Sequence, residues 1–333
     1  MDNEMVTHPP VVLARPGARV YGQTRMEPVR ERGVRAKPGL VAVCCATTLV
    51  SACSLTGDPT ERALDRIVED AGGRLVTAVS LGDGAQDVGA VVRLPGGDVA
   101  VDAEGRSDPA VDGQLRPSGA SLVDDLDLDA LTARLDAVRA SCDAEPGVEA
   151  QLSPAGALFV YSTCAGEPGP TVSVAGVEGA TELDFTTIDG VAQLLREAAV
   201  AVPGAAAWQV SIPGPSSPRG ATARAEGGLW GLPDGSSCQV VYERLERPQS
   251  GEAPWRYRCD GYGQQRSTSS DVQQQFVPTT VDAQAVVDAM ALAVQRGGFT
   301  HDEVMYYVVT DMLVDGPVVI AMTTDRSSTV ALA

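Results

Sequence analysis

The residues of this 333-residue chain best placed to do chemistry are seven cysteines, one histidine in its body and a surplus of carboxylates. A thiol can carry a lipid, pair with another thiol or hold zinc. Cys44 and Cys45 lie inside an apolar run, Leu40–Val50, and Cys53 lies just after it. The remaining four, Cys142, Cys164, Cys238 and Cys259, form an even set that permits three connectivities. Cys142–Cys164 with Cys238–Cys259 is the expected pairing, because each pair brackets a hairpin whose ends must meet. Each bridge would contribute about 3 kcal/mol by restricting the unfolded chain. Zinc is the poorer reading: no two of the four have the close spacing of such sites, and His301 is the only histidine beyond the apolar run. Paired thiols point to an oxidising compartment.

Other chemistry finds little support. A Ser-His-Asp arrangement would have to use His301, which sits in Phe299-Thr-His-Asp-Glu303 and reads as an exposed turn residue. No serine has the Gly-Xaa-Ser-Xaa-Gly frame, and Gly82-Asp-Gly84 and Gly261-Tyr-Gly263 do not continue as phosphate-binding loops. The run Asp124-Asp-Leu-Asp-Leu-Asp129 has Ala130 where a calcium loop needs glycine, so it reads as an acidic helix start. No catalytic residue, metal ligand or cofactor is assigned. Trp208, Trp230, Tyr242, Trp255, Tyr257 and Tyr262 cluster in sequence; sheet packing or a recognition surface would each account for them.

The apolar run explains itself by what flanks it. Before it comes Arg30-Glu-Arg32-Gly-Val-Arg35-Ala-Lys37, and after it the polar Ser54-Leu-Thr-Gly-Asp58. Eleven uncharged residues suit an export-signal core and fall well short of the ~20 needed to span a bilayer. Val50-Ser51-Ala52-Cys53 resembles the lipobox of bacterial lipoproteins. That resemblance implies cleavage before Cys53, a lipid on its thiol and acylation of its new amino group. The implied location is the extracytoplasmic face of the cell membrane, with the membrane as a partner through the lipid on Cys53. Residues 26–52 would be the signal peptide, and 1–25 an extension ahead of the working start at Met26.

Charge divides at the same place. Residues 1–52 carry seven basic and four acidic residues, a net of +3, whereas the remainder carries 18 Arg and 40 acids, a net of −22. A body so acidic repels phosphate backbones, which argues against nucleic acid as a partner. Lys37 is the only lysine, every other basic residue is Arg, and with heavy use of Ala, Gly, Val, Asp and Pro this resembles the composition of actinobacterial proteins.

Patterning predicts four amphipathic helices, each followed by strands. The helices begin near 58, 127, 186 and 281, on apolar spacings such as Leu131, Leu135 and Val138, or Val286, Met290 and Val294. Strands are expected at Leu75–Leu81, Val88–Leu94, Val99–Asp102, Val148–Leu152, Ala157–Thr163, Ala207–Ile212, Cys238–Leu245, Trp255–Cys259, Val304–Val309 and Val318–Thr323, with an edge strand at Ser328–Leu332. The expected fold is α+β, with helices packed on one face of antiparallel sheets in two domains, 53–180 and 181–333. The first helix and its strands, with Val101-Asp102-Ala103-Glu104-Gly105, faintly resemble a PepSY-type module over residues 59–106. An inhibitory or regulatory role is what that resemblance implies. The preferred expectation is a lipid-anchored protein that is not an enzyme and binds an unknown protein or cell-envelope ligand, or serves a structural surface role. An exported enzyme with a carboxylate-based site is the alternative.

Overall fold

The computed structural model describes residues 59–332 apart from 85–86, 95–96, 110–118, 165–166, 218–221, 232–236, 250–252, 260–272 and 313–315. Helix α1 (Pro59–Ala71) presents Ala63, Leu64, Ile67 and Ala71 to a sheet and starts with proline, which needs no hydrogen-bond partner there. Strands β1 (Leu75–Gly82), β2 (Gly89–Leu94), β3 (Gly97–Asp102), β4 (Ser107–Pro109) and β5 (Ser121–Leu122) follow. Helix α2 (Leu128–Arg139) comes next, then β6 (Pro146–Leu152), β7 (Leu158–Cys164), β8 (Glu167–Val174) and β9 (Val177–Gly179). Asp127 caps α2 by accepting a hydrogen bond from the Ala130 amide, which is the role its acidic run predicts.

The second half comprises α3 (Ile188–Ala201), β10 (Ala207–Pro213), β11 (Thr222–Gly231), β12 (Ser237–Leu245), β13 (Trp255–Cys259) and β14 (Gln273–Gln274). It ends with α4 (Ala283–Gly297), β15 (Tyr306–Met312), β16 (Gly316–Met322) and β17 (Ser327–Ala331). Thr187 and Asp282 cap α3 and α4. The α+β class with helices on antiparallel sheets is as patterning predicts. Six strands are additional: β4, β5, β8, β9, β11 and β14. Glu167-Pro-Gly-Pro reads as a breaker yet begins β8, and alanine with paired glycines disguises β11. The Gly-, Gln- and Ser-rich stretch before Phe276 reads as a loop, yet Gln273 and Gln274 pair with β15.

The two sheets share one topology over seven strands, with β9 an addition to the first. The first runs β4-β3-β2-β1-β6-β7-β8-β9 and the second β13-β12-β11-β10-β15-β16-β17. The four helix–strand units therefore form two α-β-α-β halves with matching strand order. Details repeat as well. β1 bulges between Val76 and Ala78 against β2, and β10 bulges between Ala207 and Gln209 against β11. Each bulge lies four residues after a left-handed glycine, Gly73 in one half and Gly204 in the other, which turns the chain from helix into strand.

Two cores result. One lies between α1, α2 and the first sheet, around Ile67, Val76, Val79, Leu135 and Val148. The other lies between α3, α4 and the second sheet, and it also takes in Phe159, Tyr161, Val172 and Val174 from the far face of β7 and β8. The β7–β8 end of the first sheet is thus buried on both faces, and its β1–β4 end is not.

Candidate functional site

The described residues hold one of the two predicted bridges. Cys142 lies three residues beyond the end of α2, Cys164 ends β7, and they are disulfide-bonded with Cα atoms 5.7 Å apart. The hairpin β6–β7 brings them together, since Pro146 pairs with Cys164. The side chains of Cys238 and Cys259 lie outside the described residues; their strands are neighbours, with Val240 opposite Cys259. Cys53, the predicted lipid site, also lies outside them, as do Cys44 and Cys45. No helix among the described residues is long and apolar enough to cross a membrane.

The sequence-clustered aromatics divide. Tyr242, Trp255 and Tyr257 pack with Phe159 from the other sheet, and the Phe159–Trp255 ring centroids are 4.5 Å apart. Burial pushes the hydroxyls of Tyr242 and Tyr257 well above the ordinary tyrosine range. These three are core, and they join the halves. Trp208 is half-buried on the β10 bulge, while the side chains of Trp230 and Tyr262 lie outside the described residues. His301 is exposed in a short turn as expected, with Nδ1 2.6 Å from the Tyr307 hydroxyl.

Beside those rings lies a buried polar network that patterning does not reveal. Glu197 of α3 and Arg244 of β12 are completely buried and ion-paired at 2.8 Å. The Tyr242 hydroxyl donates to the same carboxylate at 2.6 Å, and Gln193 donates to its other oxygen at 3.0 Å. Arg244 spends its remaining donors on the carbonyls of Ala180, Thr181, Leu245 and Pro254. Each guanidinium nitrogen has an acceptor, as burial of charge requires. One signal for it was present: Glu197 interrupts the apolar stripe of α3 between Leu194 and Ala198.

A cavity lies elsewhere, on the open face of β1–β3. A groove of about 300 Å3 has Ala78, Gly89, Val91 and Ala100 in its lining and is edged by Ser80, Asp87, Asp102, Arg106 and Glu149. Pairing places these side chains together: Ala78 faces Val91, Ser80 faces Gly89 on one side and Glu149 on the other, and Gly89 faces Asp102. Asp102 is committed to the β3–β4 turn. Its carboxylate accepts from the amides of Glu104 and Arg106 at 2.9 Å and from the Arg106 guanidinium at 2.8 Å. Desolvation pushes its carboxyl up, but those donors outweigh it and hold the group below the usual range. Glu149 pairs across strands with Tyr161, whose hydroxyl is pushed up by burial and by that neighbouring charge. The groove thus runs from the Asp102 turn towards the step where the second half covers the sheet. Among the described residues, no three His, Cys, Asp or Glu side chains converge as a metal site. The sequence matches no protein-family model and no curated protein.

Proposed function

We propose that this chain is a lipid-anchored protein of the extracytoplasmic membrane face that acts by binding, with the groove on the open face of β1–β3 as its binding surface. The observation that carries the location is the Cys142–Cys164 disulfide, a bond that persists in oxidising compartments. It agrees with the basic-apolar-lipobox order ending at Cys53. A binding role rests on the groove, whose volume falls at the lower end of small-molecule sites and whose lining is small and apolar with polar edges. Asp102 already has its partners within the turn, which suits holding a ligand better than moving protons.

A second reading, an inhibitory module of PepSY type, is favoured by one observation. Val101–Gly105 forms the turn around Asp102 that follows the α1-β1-β2-β3 unit. Fractionation of cells producing the full chain tests the anchor: Cys53→Ala should move the protein from membranes to the soluble fraction and abolish incorporation of a labelled fatty acid. Membrane retention of the variant would overturn the lipid anchor.

A further inference from the structure

The second half supplies an internal control for the groove. Aligning the halves on their bulges puts Ala78 with Gln209, and the strand registers carry the match outward. Val91 then corresponds to Glu226, Gly89 to Arg224, Ala100 to Val241, and Asp102 to Glu243. Arg106 corresponds to Arg256 through the next strand pair. The outermost ion pair is kept in both halves: Arg106–Asp102 at 2.8 Å and Arg256–Glu243 at 2.6 Å. Inside that pair the halves diverge. The second sheet fills its open face with Gln209, Arg224 and Glu226, and Arg224 lies within ion-pair distance of both Glu226 and Glu243. The first sheet has alanine, glycine and valine at those positions, and the space they vacate is the groove.

From this contrast we infer that the groove is a site for a small organic cation, an ammonium or guanidinium attached to a compact apolar body. The inference rests on the binding reading above and adds the chemical class of ligand. The apolar lining of Ala78, Gly89, Val91 and Ala100 suits a hydrocarbon portion. The edge bears three carboxylates, Asp87, Asp102 and Glu149, against the single guanidinium of Arg106, which is itself paired to Asp102 and Glu104. A cation therefore meets net negative charge at the edge, within a body of net −22 that draws cations and repels anions.

Gly89 decides the shape. A Cβ placed there would sit 3.2 Å from Ser80 Oγ and 3.4 Å from the Val101 carbonyl, tight but accommodable by a small shift. Gly89→Arg thus restores the second half's own filling, and Ala100→Val does so with a smaller change.

Calorimetric titration of the full chain in detergent tests the inference, using phenethylamine, neutral phenylethanol and anionic phenylpropionate as probes. Saturable binding of the amine alone is expected, weakening as salt is raised. Glu149→Gln should weaken it about fivefold, the scale of one exposed charge contact. Gly89→Arg should abolish binding at unchanged melting temperature, and Ala100→Val should weaken it if the arginine variant does not fold. Binding of the neutral or anionic probe as tight as the amine, lost in Gly89→Arg, overturns the cation assignment and leaves the groove a binding site. Binding of no probe, or amine binding unchanged by both filling variants, overturns the assignment together with the groove's role in the binding reading.

Discussion

The halves of this protein have the same strand order but are held together by different means. In the first, the corner between α2 and β6 is closed covalently by Cys142–Cys164. In the second, the matching corner between α4 and β15 is closed by charge. Arg326 reaches Glu303 at 3.1 Å, donates to the Gly298 carbonyl and lies over the Phe299 ring. The interiors differ too. The residues flanking Asp102 are Val101 and Ala103, both buried, whereas those flanking the corresponding Glu243 are Tyr242 and Arg244. One topology therefore tolerates either apolar or ionic filling at these positions. A buried ion pair is not required by the fold, and its role must be sought in what else it touches. Arg244 touches the linker between halves.

Removing that contact should have the largest effect. Arg244→Met leaves Glu197 charged and buried without its partner, which should cost about 3–5 kcal/mol in urea unfolding. Adding Glu197→Leu to it should recover most of the loss, since replacing a buried ion pair by apolar side chains removes the unpaired charge. If the double variant is no more stable than Arg244→Met, the halves are not comparable in this way. Next in size are the two corners. Replacing Cys142 and Cys164 together with serine should cost roughly 3 kcal/mol, whereas Arg326→Ala, removing a half-exposed pair, should cost about 1 kcal/mol or less. Equal losses would contradict the distinction between a covalent and an electrostatic corner.

The smallest effect concerns alkali. Burial pushes the Tyr307 hydroxyl up to about 12 from an ordinary value of 10.0. A proton held more tightly by the folded state stabilises it fully below pH 10, and that contribution is lost as pH rises from 10 through 12. Urea midpoints measured between those limits should fall with pH, and less steeply in Tyr307→Phe. Identical slopes would remove Tyr307 from the account.

Much of the fold was legible because capping and periodicity agree locally. Asp127, Thr187 and Asp282 stand where helices begin, and the four apolar stripes are the buried faces. What escaped had local signals that tertiary packing overrode. In β11, Ala223 and Ala225 face the core and Arg224 and Glu226 face outward, but alanine is a weak strand former and Gly227-Gly228 resembles a break. Gly227 is needed for close approach: a Cβ there would lie 2.7 Å from Val202 Cβ. The pairing of Cys142 with Cys164 could be read because its hairpin is local. The groove could not, because it consists of side chains that are missing at Gly89, Ala78 and Ala100. Only comparison with the other half shows that anything is absent.

Arg244 also bears on how the chain can be divided. Its guanidinium binds the carbonyls of Ala180 and Thr181, the residues that leave the first sheet, while Gly179 leaves room for Glu197 beside them. The connector between the repeats is thereby part of the second repeat's interior. Matching strand order would suggest two portable modules that could be reordered, circularly permuted or produced singly. The buried guanidinium works against this: a second half produced without Ala180 and Thr181 would leave Arg244 short of two of its acceptors.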